Sequence, residues 1–127
     1  SREIYDNDNV LPETWELVIG EPDTPTLMRA IENGDSVRIG HLLQDHINRD
    51  SMLPSMVLFH SSKSGAFCLP PIHTLLGGGD KLLFLGSAAA RWKMGWTQHN
   101  HIALEYILTG ENKPQSYIGR WLASRSL

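Results

Sequence analysis

Three polar side chains near the C-terminal end are the nearest approach to a metal site in this sequence: His99, His101 and Glu105. On a helix, His101 and Glu105 would share one face, whereas on a strand His99 would share a face with His101. Neither geometry joins all three side chains, and the neighbouring Trp96 and Tyr106 favour packing. We therefore expect no metal site, although the spacing leaves a small metal-dependent enzyme open as an alternative.

Nucleophilic and phosphate-binding patterns are equally weak. The single Cys68 cannot form an internal disulfide, which indicates a reducing compartment, and its apolar neighbours predict a small buried hydrophobic residue. No Gly-x-Ser-x-Gly pattern is present, and the glycines at 77–79 precede a strand rather than a helix. His41 and His46 are five residues apart on a predicted helix, so they diverge and are expected at the surface. We predict no catalytic residue and no enzyme.

The composition is typical of one globular domain. The chain has 127 residues, of which 41% are hydrophobic and 20% charged. A net charge of −3 argues against nucleic acid as a partner. Residues 1–50 carry 11 acidic and 4 basic side chains, whereas residues 51–127 carry 3 acidic and 7 basic ones. The two halves are expected to attract each other within one fold; head-to-tail association and orientation at an anionic membrane are the alternatives.

The pattern of apolar residues predicts an α+β fold: a small, mainly antiparallel β-sheet with short packed helices. Residues 1–13 read as a linker or arm. Strands are predicted at 14–19, 56–60, 66–69 and 81–85, with a five-residue connection at 61–65. Helices are predicted from Asp35 or Ser36 to about Ile47, from a Ser87 cap to Met94 with Gly95 as the stop, and at 115–122. Residues 26–32 could be helix or strand, and residues 101–108 are apolar with no clear period.

A glycine-rich turn leads into the most apolar of these strands. Gly79 can adopt a positive φ angle at little cost, and Asp80 can hydrogen-bond nearby backbone groups. Residues 82–85 offer no polar face, so this strand is expected to be covered on both sides.

These segments resemble the C-terminal subdomain of RCK modules (regulators of potassium conductance), also called the TrkA-C domain. The likeness is carried by Ile-Gly-His-Leu-Leu at 39–43, by the segment from Leu-Pro-Pro at 69–71 to Leu75, and by Leu-Gly-Gly-Gly-Asp-Lys-Leu-Leu-Phe-Leu-Gly at 76–86. In the last of these segments, the structural turn is formed by Gly79 and Asp80, and the strand after it is closed by Gly86. The likeness covers residues 14–94, and residues 95–127 are expected to form a helical or mixed C-terminal extension, either distinct from this domain or part of it.

The resemblance implies a cytoplasmic, ligand-sensing, homodimerising domain of a potassium channel or potassium transport protein at the inner face of the plasma membrane. Its partners would be a Rossmann-type half, a membrane pore and a small-molecule or ion effector, with no nucleic acid and no cofactor evident. No Gly-x-Gly-x-x-Gly pattern occurs, so the Rossmann half is expected elsewhere in the parent protein. The effector pocket is expected in the dimer cleft, near Gly40 and the loop before Asp80.

A ligand-free interaction module is the further alternative. The final third concentrates aromatic side chains and Met94 among basic ones, which suits either a subunit contact or core packing. These side chains are Trp92, Met94, Trp96, Tyr106, Tyr117 and Trp121.

Overall fold

A computed structural model describes residues 11–110 of the chain, and the structural statements below concern that part. Four strands and four helices follow one another along it: β1 (Glu13–Val18), α1 (Pro25–Glu32), α2 (Ile39–Leu43), β2 (Ser55–Ser62), β3 (Gly65–Cys68), β4 (Lys81–Gly86), α3 (Ala88–His99) and α4 (His101–Thr109). The predicted helix at 115–122, with Tyr117 and Trp121, lies outside the described residues.

The strands form one antiparallel sheet in the order β1-β4-β2-β3, so β4 is central and β1 and β3 are the edges. The α+β class with a small antiparallel sheet is therefore confirmed. The register sets Trp15 beside Phe84 and Phe84 beside Val57. Leu58 is the extra residue of a bulge in β2, between the paired residues Val57 and Phe59.

All four helices pack against one face of the sheet. Trp15 and Phe84 stack on this face with ring centroids 5.7 Å apart. The alternation that predicted β1 is confirmed, since Trp15, Leu17 and Ile19 are all buried. Each helix adds to the same core, the largest contributions being Leu27 (α1), Ile39 and Leu42 (α2), Met94 (α3) and Leu104 (α4). Residues of α3 and α4 beyond position 94 thus pack with the rest of the described chain.

The opposite face of the sheet is uncovered within residues 11–110; we call it the open face. Its central rows consist of Leu83, Phe59 and Cys68, which are paired across β4, β2 and β3, and of Leu85 with Met56. Phe59 and Met56 are 37% and 45% exposed, and the two leucines are half-buried. The expectation that both sides of residues 82–85 are covered is therefore wrong for the described chain.

The predicted helix from 35 or 36 to 47 is wrong at both ends, because α2 contains only residues 39–43. Gln44 is extended and bridges to Met52. Beyond it, the Asp45 carboxylate accepts from the Ile47 N–H and the Asn48 side chain accepts from the Asp50 N–H. Such local hydrogen bonds compete with helical ones, so the chain turns instead of continuing the helix.

Two further boundaries differ from expectation, and two segments left open are now assigned. Helix α3 passes through Gly95 to His99, because Asn100 rather than Gly95 ends it and then caps α4. The β2–β3 connection has two residues instead of five, since Ser62 pairs directly with Gly65. Residues 25–32 and 101–109, whose type the sequence left open, are both helical.

Candidate functional site

The turn before β4 is built around Asp80. Its N–H donates to the Gly77 carbonyl at 3.2 Å, and its carboxylate accepts from the Gly77 N–H at 3.0 Å. Gly79, between them, has φ 88°, the left-handed region that favours glycine. The sequence points to both features, because glycine followed by aspartate is a common turn signal.

Asp80 also forms a buried pair with His60 of β2, which the sequence analysis missed. The His60 Nε2 to Asp80 Oδ2 distance is 2.8 Å, and the two residues are only 2% and 5% exposed. His60 Nδ1 is buried and has no hydrogen-bond partner within residues 11–110. A histidine that activates a nucleophile needs a hydroxyl or thiol at its second nitrogen. The pair therefore braces β2 to the turn and lacks the geometry of a catalytic relay.

Gly86, which closes β4, is required for a close approach rather than for a turn. A Cβ at this position would lie 2.8 Å from the Pro54 carbonyl oxygen and 2.8 Å from the Ser55 Cβ. The start of β2 therefore packs directly on the end of β4.

Gly40 and the loop before Asp80 are brought together, but the space between them is filled. The Gly40 N–H donates to the Ile72 carbonyl at 2.7 Å, and a Cβ at Gly40 would lie 3.2 Å from that oxygen. The Leu76 N–H donates to Val37, and Leu75 bridges to Arg38. Gly40 therefore packs directly against the loop at Ile72.

The three metal candidates are not assembled into a site. His99 is exposed at the end of α3, His101 is exposed at the start of α4, and Glu105 is one turn further along α4. The described part of the chain holds no group of three His, Cys, Asp or Glu side chains that could bind a metal ion. The prediction for Cys68 is wrong: it is exposed, because β3 is an edge strand and Cys68 lies on the open face.

His41 and His46 are half-buried, not at the open surface as expected. The Arg38 N–H donates to His41 Nδ1 at 2.9 Å, which requires a neutral ring nitrogen. Burial, reinforced by the positive charges of Arg38 and Arg49, lowers the pKa of His41. His46 stacks on Trp96 with centroids 5.6 Å apart, and burial lowers its pKa despite the nearby Asp45 carboxylate.

A groove of about 990 Å³ lies between β1 and α3. One wall consists of Trp15, Glu16 and Leu17, and the other is the outer side of α3, from Ala88 to His99. Trp92 is 65% exposed and meets the edge of Trp96, with ring centroids 5.9 Å apart. Trp92 and Trp96, two of the aromatic residues of the final third, thus lie on this surface, whereas Met94 between them in the sequence is fully buried in the core. We call this feature the β1–α3 groove.

Comparisons with protein families, with curated proteins and with solved structures find no match to this chain. Among the described residues, no helix is long and apolar enough to cross a membrane. The likeness to RCK C-terminal subdomains thus stays a prediction made on residues 14–94.

Proposed function

We propose that this chain is a self-associating, non-enzymatic regulatory domain of a potassium channel or potassium transport protein, acting on the cytoplasmic side of the plasma membrane. The observation that carries the proposal is the open face of the sheet. A sheet is stable in water when a second layer covers its apolar side, and a contiguous exposed apolar patch marks an interaction surface.

A second copy of the chain suits the open face as its cover. A twofold axis through the row of Leu83, Phe59 and Cys68 would set the same apolar side chains of the two copies against each other. Charged side chains lie at the margin of this row: Glu16 flanks Leu83 on β1, and Lys81 begins β4. The interface would thus have an apolar centre and a polar rim, as stable interfaces do.

Regulation would follow from two arrangements of the dimer. An effector that binds one arrangement more tightly shifts the population toward it, and this bias is passed to the pore. Because Gly40 packs directly on Ile72, we place such a ligand in the cleft between copies. The segments at 39–43 and 76–86 that resemble RCK C-terminal subdomains support this assignment.

Analytical ultracentrifugation of the full chain tests the self-association. We expect a dimer for the natural sequence and a monomer for the double variant Met56→Lys with Phe59→Lys, because burying two added charges opposes association. Both side chains are exposed, so circular dichroism should show an intact fold. The matched control is Trp92→Lys, exposed on α3 away from the open face, which should remain dimeric. A monomeric natural chain, or a dimeric double variant, would refute the proposal.

A thermal-shift screen with divalent cations, nucleotides and cyclic dinucleotides tests the sensing role. A ligand at one hundred times its dissociation constant adds about 2.7 kcal/mol to the free energy of unfolding. We expect one class of compound to stabilise the natural dimer and not the open-face double variant. A dimer that responds to none of them would leave association itself as the activity, which is the ligand-free interaction module.

A further inference from the structure

Strand β1 has an unused edge that faces the β1–α3 groove. The Ile19 N–H donates to the Asp80 carbonyl at 2.8 Å, toward β4, whereas the Val18 carbonyl accepts from the Thr24 hydroxyl at 2.9 Å, on the other side. Backbone groups of an antiparallel strand alternate in direction. Glu16 and Thr14 therefore turn their N–H and C=O groups away from β4, where no strand of residues 11–110 pairs with them.

The opposite wall of the groove is shaped to receive side chains. Gly95 lies in the middle of α3, and a Cβ at this position would find nothing within 4 Å. Ala88 is a second small residue on this wall, and the larger Trp92 and His99 stand three or four positions from Gly95 along the helix. A recess beside an exposed strand edge is the arrangement in which extended peptides bind by adding a strand to a sheet.

The groove carries negative charge that is not neutralised within the described chain. Of its charged residues, Arg91 is paired with Glu13 at 3.1 Å. Glu16 and Asp23 also line the groove, and neither takes part in an ion pair within residues 11–110. A ligand strand that places a lysine or arginine opposite Glu16 would complement this charge.

We propose that the β1–α3 groove binds an extended peptide segment of a partner protein, as an additional strand on β1. Alternate apolar side chains of the peptide enter the recess above Gly95, and a basic side chain faces Glu16. Backbone hydrogen bonds to Thr14 and Glu16 supply the register. The site shares Glu16 with the rim of the open face, but its recess at Gly95 lies outside the row of Leu83, Phe59 and Cys68, so the proposal does not rest on the self-association proposed above.

A second copy of the chain is the other candidate for this edge. Antiparallel self-pairing of β1 centred on Glu16 would set two carboxylates directly opposite each other, which is destabilising. Pairing centred on Thr14 would set Glu16 opposite Pro12, which has no N–H to donate. Pairing centred on Trp15 sets Thr14 opposite Glu16 and avoids both conflicts, but it offers Glu16 no basic side chain, whereas a partner peptide with lysine or arginine at that place complements the charge.

The test is a selection of phage-displayed random dodecapeptides on the immobilised full chain, followed by affinity measurement of the enriched peptide in synthetic form. We expect enriched sequences to alternate apolar residues and to include lysine or arginine. Hydrogen exchange should show that the peptide protects the amides of Thr14 and Glu16. Glu16→Pro removes an outward N–H without breaking a bond to β4 and should weaken binding about tenfold or more.

Two variants separate the charge and shape of the groove from its backbone donors. Glu16→Thr keeps the N–H and removes the carboxylate, so binding should weaken less than in Glu16→Pro. Gly95→Leu fills the recess, favours the helix, and should also weaken binding about tenfold. The matched control is Ala66→Pro on the other edge: the Leu69 N–H donates to Leu58, so the Ala66 N–H faces away from β2. This variant should bind normally.

Three results would overturn the proposal. One is the absence of any peptide enriched on the natural chain relative to the Gly95→Leu protein. Another is binding that protects the amides of β3 instead of Thr14 and Glu16. The third is protection of those two amides before peptide is added, which would show that the chain itself, or a second copy, already occupies the edge.

Discussion

Asp80 shows how one short side chain can connect two parts of a small fold. Its carboxylate accepts from the Gly77 N–H within its own turn and from His60 on the neighbouring strand, with both ends of the pair buried. A buried carboxylate is tolerated when hydrogen bonds replace the water it has lost. The turn and the sheet are therefore held by the same group, and removing it affects both.

We predict that Asp80→Ala lowers the free energy of unfolding by about 3 kcal/mol, because the buried His60 ring and the partly buried Gly77 N–H lose their acceptor. Asp80→Asn keeps one acceptor oxygen and should cost less. Urea unfolding of the full chain measures both. An alanine variant as stable as the natural chain would show that the pair does not hold β2 to the turn.

Neighbouring glycines provide an internal comparison for backbone strain. Gly79 has φ 88°, and a methyl group added there would meet nothing within 4 Å, so Gly79→Ala should cost about 1–2 kcal/mol through conformation alone. Gly77 has no positive φ, and its nearest contact would be 3.8 Å away. Gly77→Ala should thus be neutral or slightly stabilising, and equal melting temperatures for the two variants would contradict this account.

The sequence predicts the residue-scale features that depend on neighbours in the chain, and it fails for those that depend on strand order. The bond from the Gly77 N–H to Asp80 spans three residues and follows from turn chemistry. The partner His60 is twenty residues away and requires the register of β2 on β4. Cys68 was wrongly predicted to be buried because its apolar neighbours do not reveal that β3 is an edge strand.

Among the secondary-structure elements, α3 has one end that the sequence predicts and one that it does not. Its N-cap was predicted correctly, since Ser87 Oγ accepts from the Ala90 N–H at 3.0 Å. Its end was not, because a glycine stops a helix only when the chain turns into the left-handed region there, and Gly95 does not. What keeps α3 helical through Gly95 is the packing of Met94 in the core, which the sequence does not display.

Gly95→Ala should therefore stabilise the protein. The new methyl group would meet no neighbour within 4 Å, and alanine is favoured over glycine in a helix interior by about 1 kcal/mol. Ser87→Ala, which removes the cap at the other end, should lower stability by about 1 kcal/mol. Thermal unfolding should show the two melting temperatures on opposite sides of the natural value. A destabilised Gly95→Ala protein would mean that α3 is interrupted at this position.

At the scale of the whole molecule, the domain is a sheet with helices on one side. The apolar run at 82–85 belongs to the central strand β4, and the expected cover over its outward leucines, 83 and 85, is missing within residues 11–110. One sequence alone does not say whether the layer that covers these leucines comes from the same chain or from another, because either source would bury the same side chains. The uncovered leucines of the open face are thus the feature, in the sequence and in the structure, from which we propose self-association.

The stability of the whole domain should fall in mild acid. Burial lowers the pKa values of His41 and His46, so the folded protein binds protons at these rings at a lower pH than the unfolded chain, which binds them near the ordinary value of 6.5. As the pH falls, the unfolded chain therefore binds protons at these rings before the folded protein does. The stabilisation is complete above pH 6.5 and is lost as the pH falls below that value.

Urea unfolding between about pH 8 and pH 5.5 should show this decline, and His41→Gln should flatten it. His101→Gln, at an exposed position on α4, is the control and should leave the slope unchanged. A free energy of unfolding that stays constant across this range would contradict the lowered pKa values of the two rings.

The exposed thiol on the open face has a practical consequence. Cys68 is the only cysteine in the chain, and it lies in the same row as Phe59 and Leu83. A maleimide spin label or fluorophore would therefore attach at one known position without any engineering. In a face-to-face pair the partner copy would cover this thiol, so the rate at which the natural sequence reacts with maleimide should fall as the protein concentration rises and dimers form.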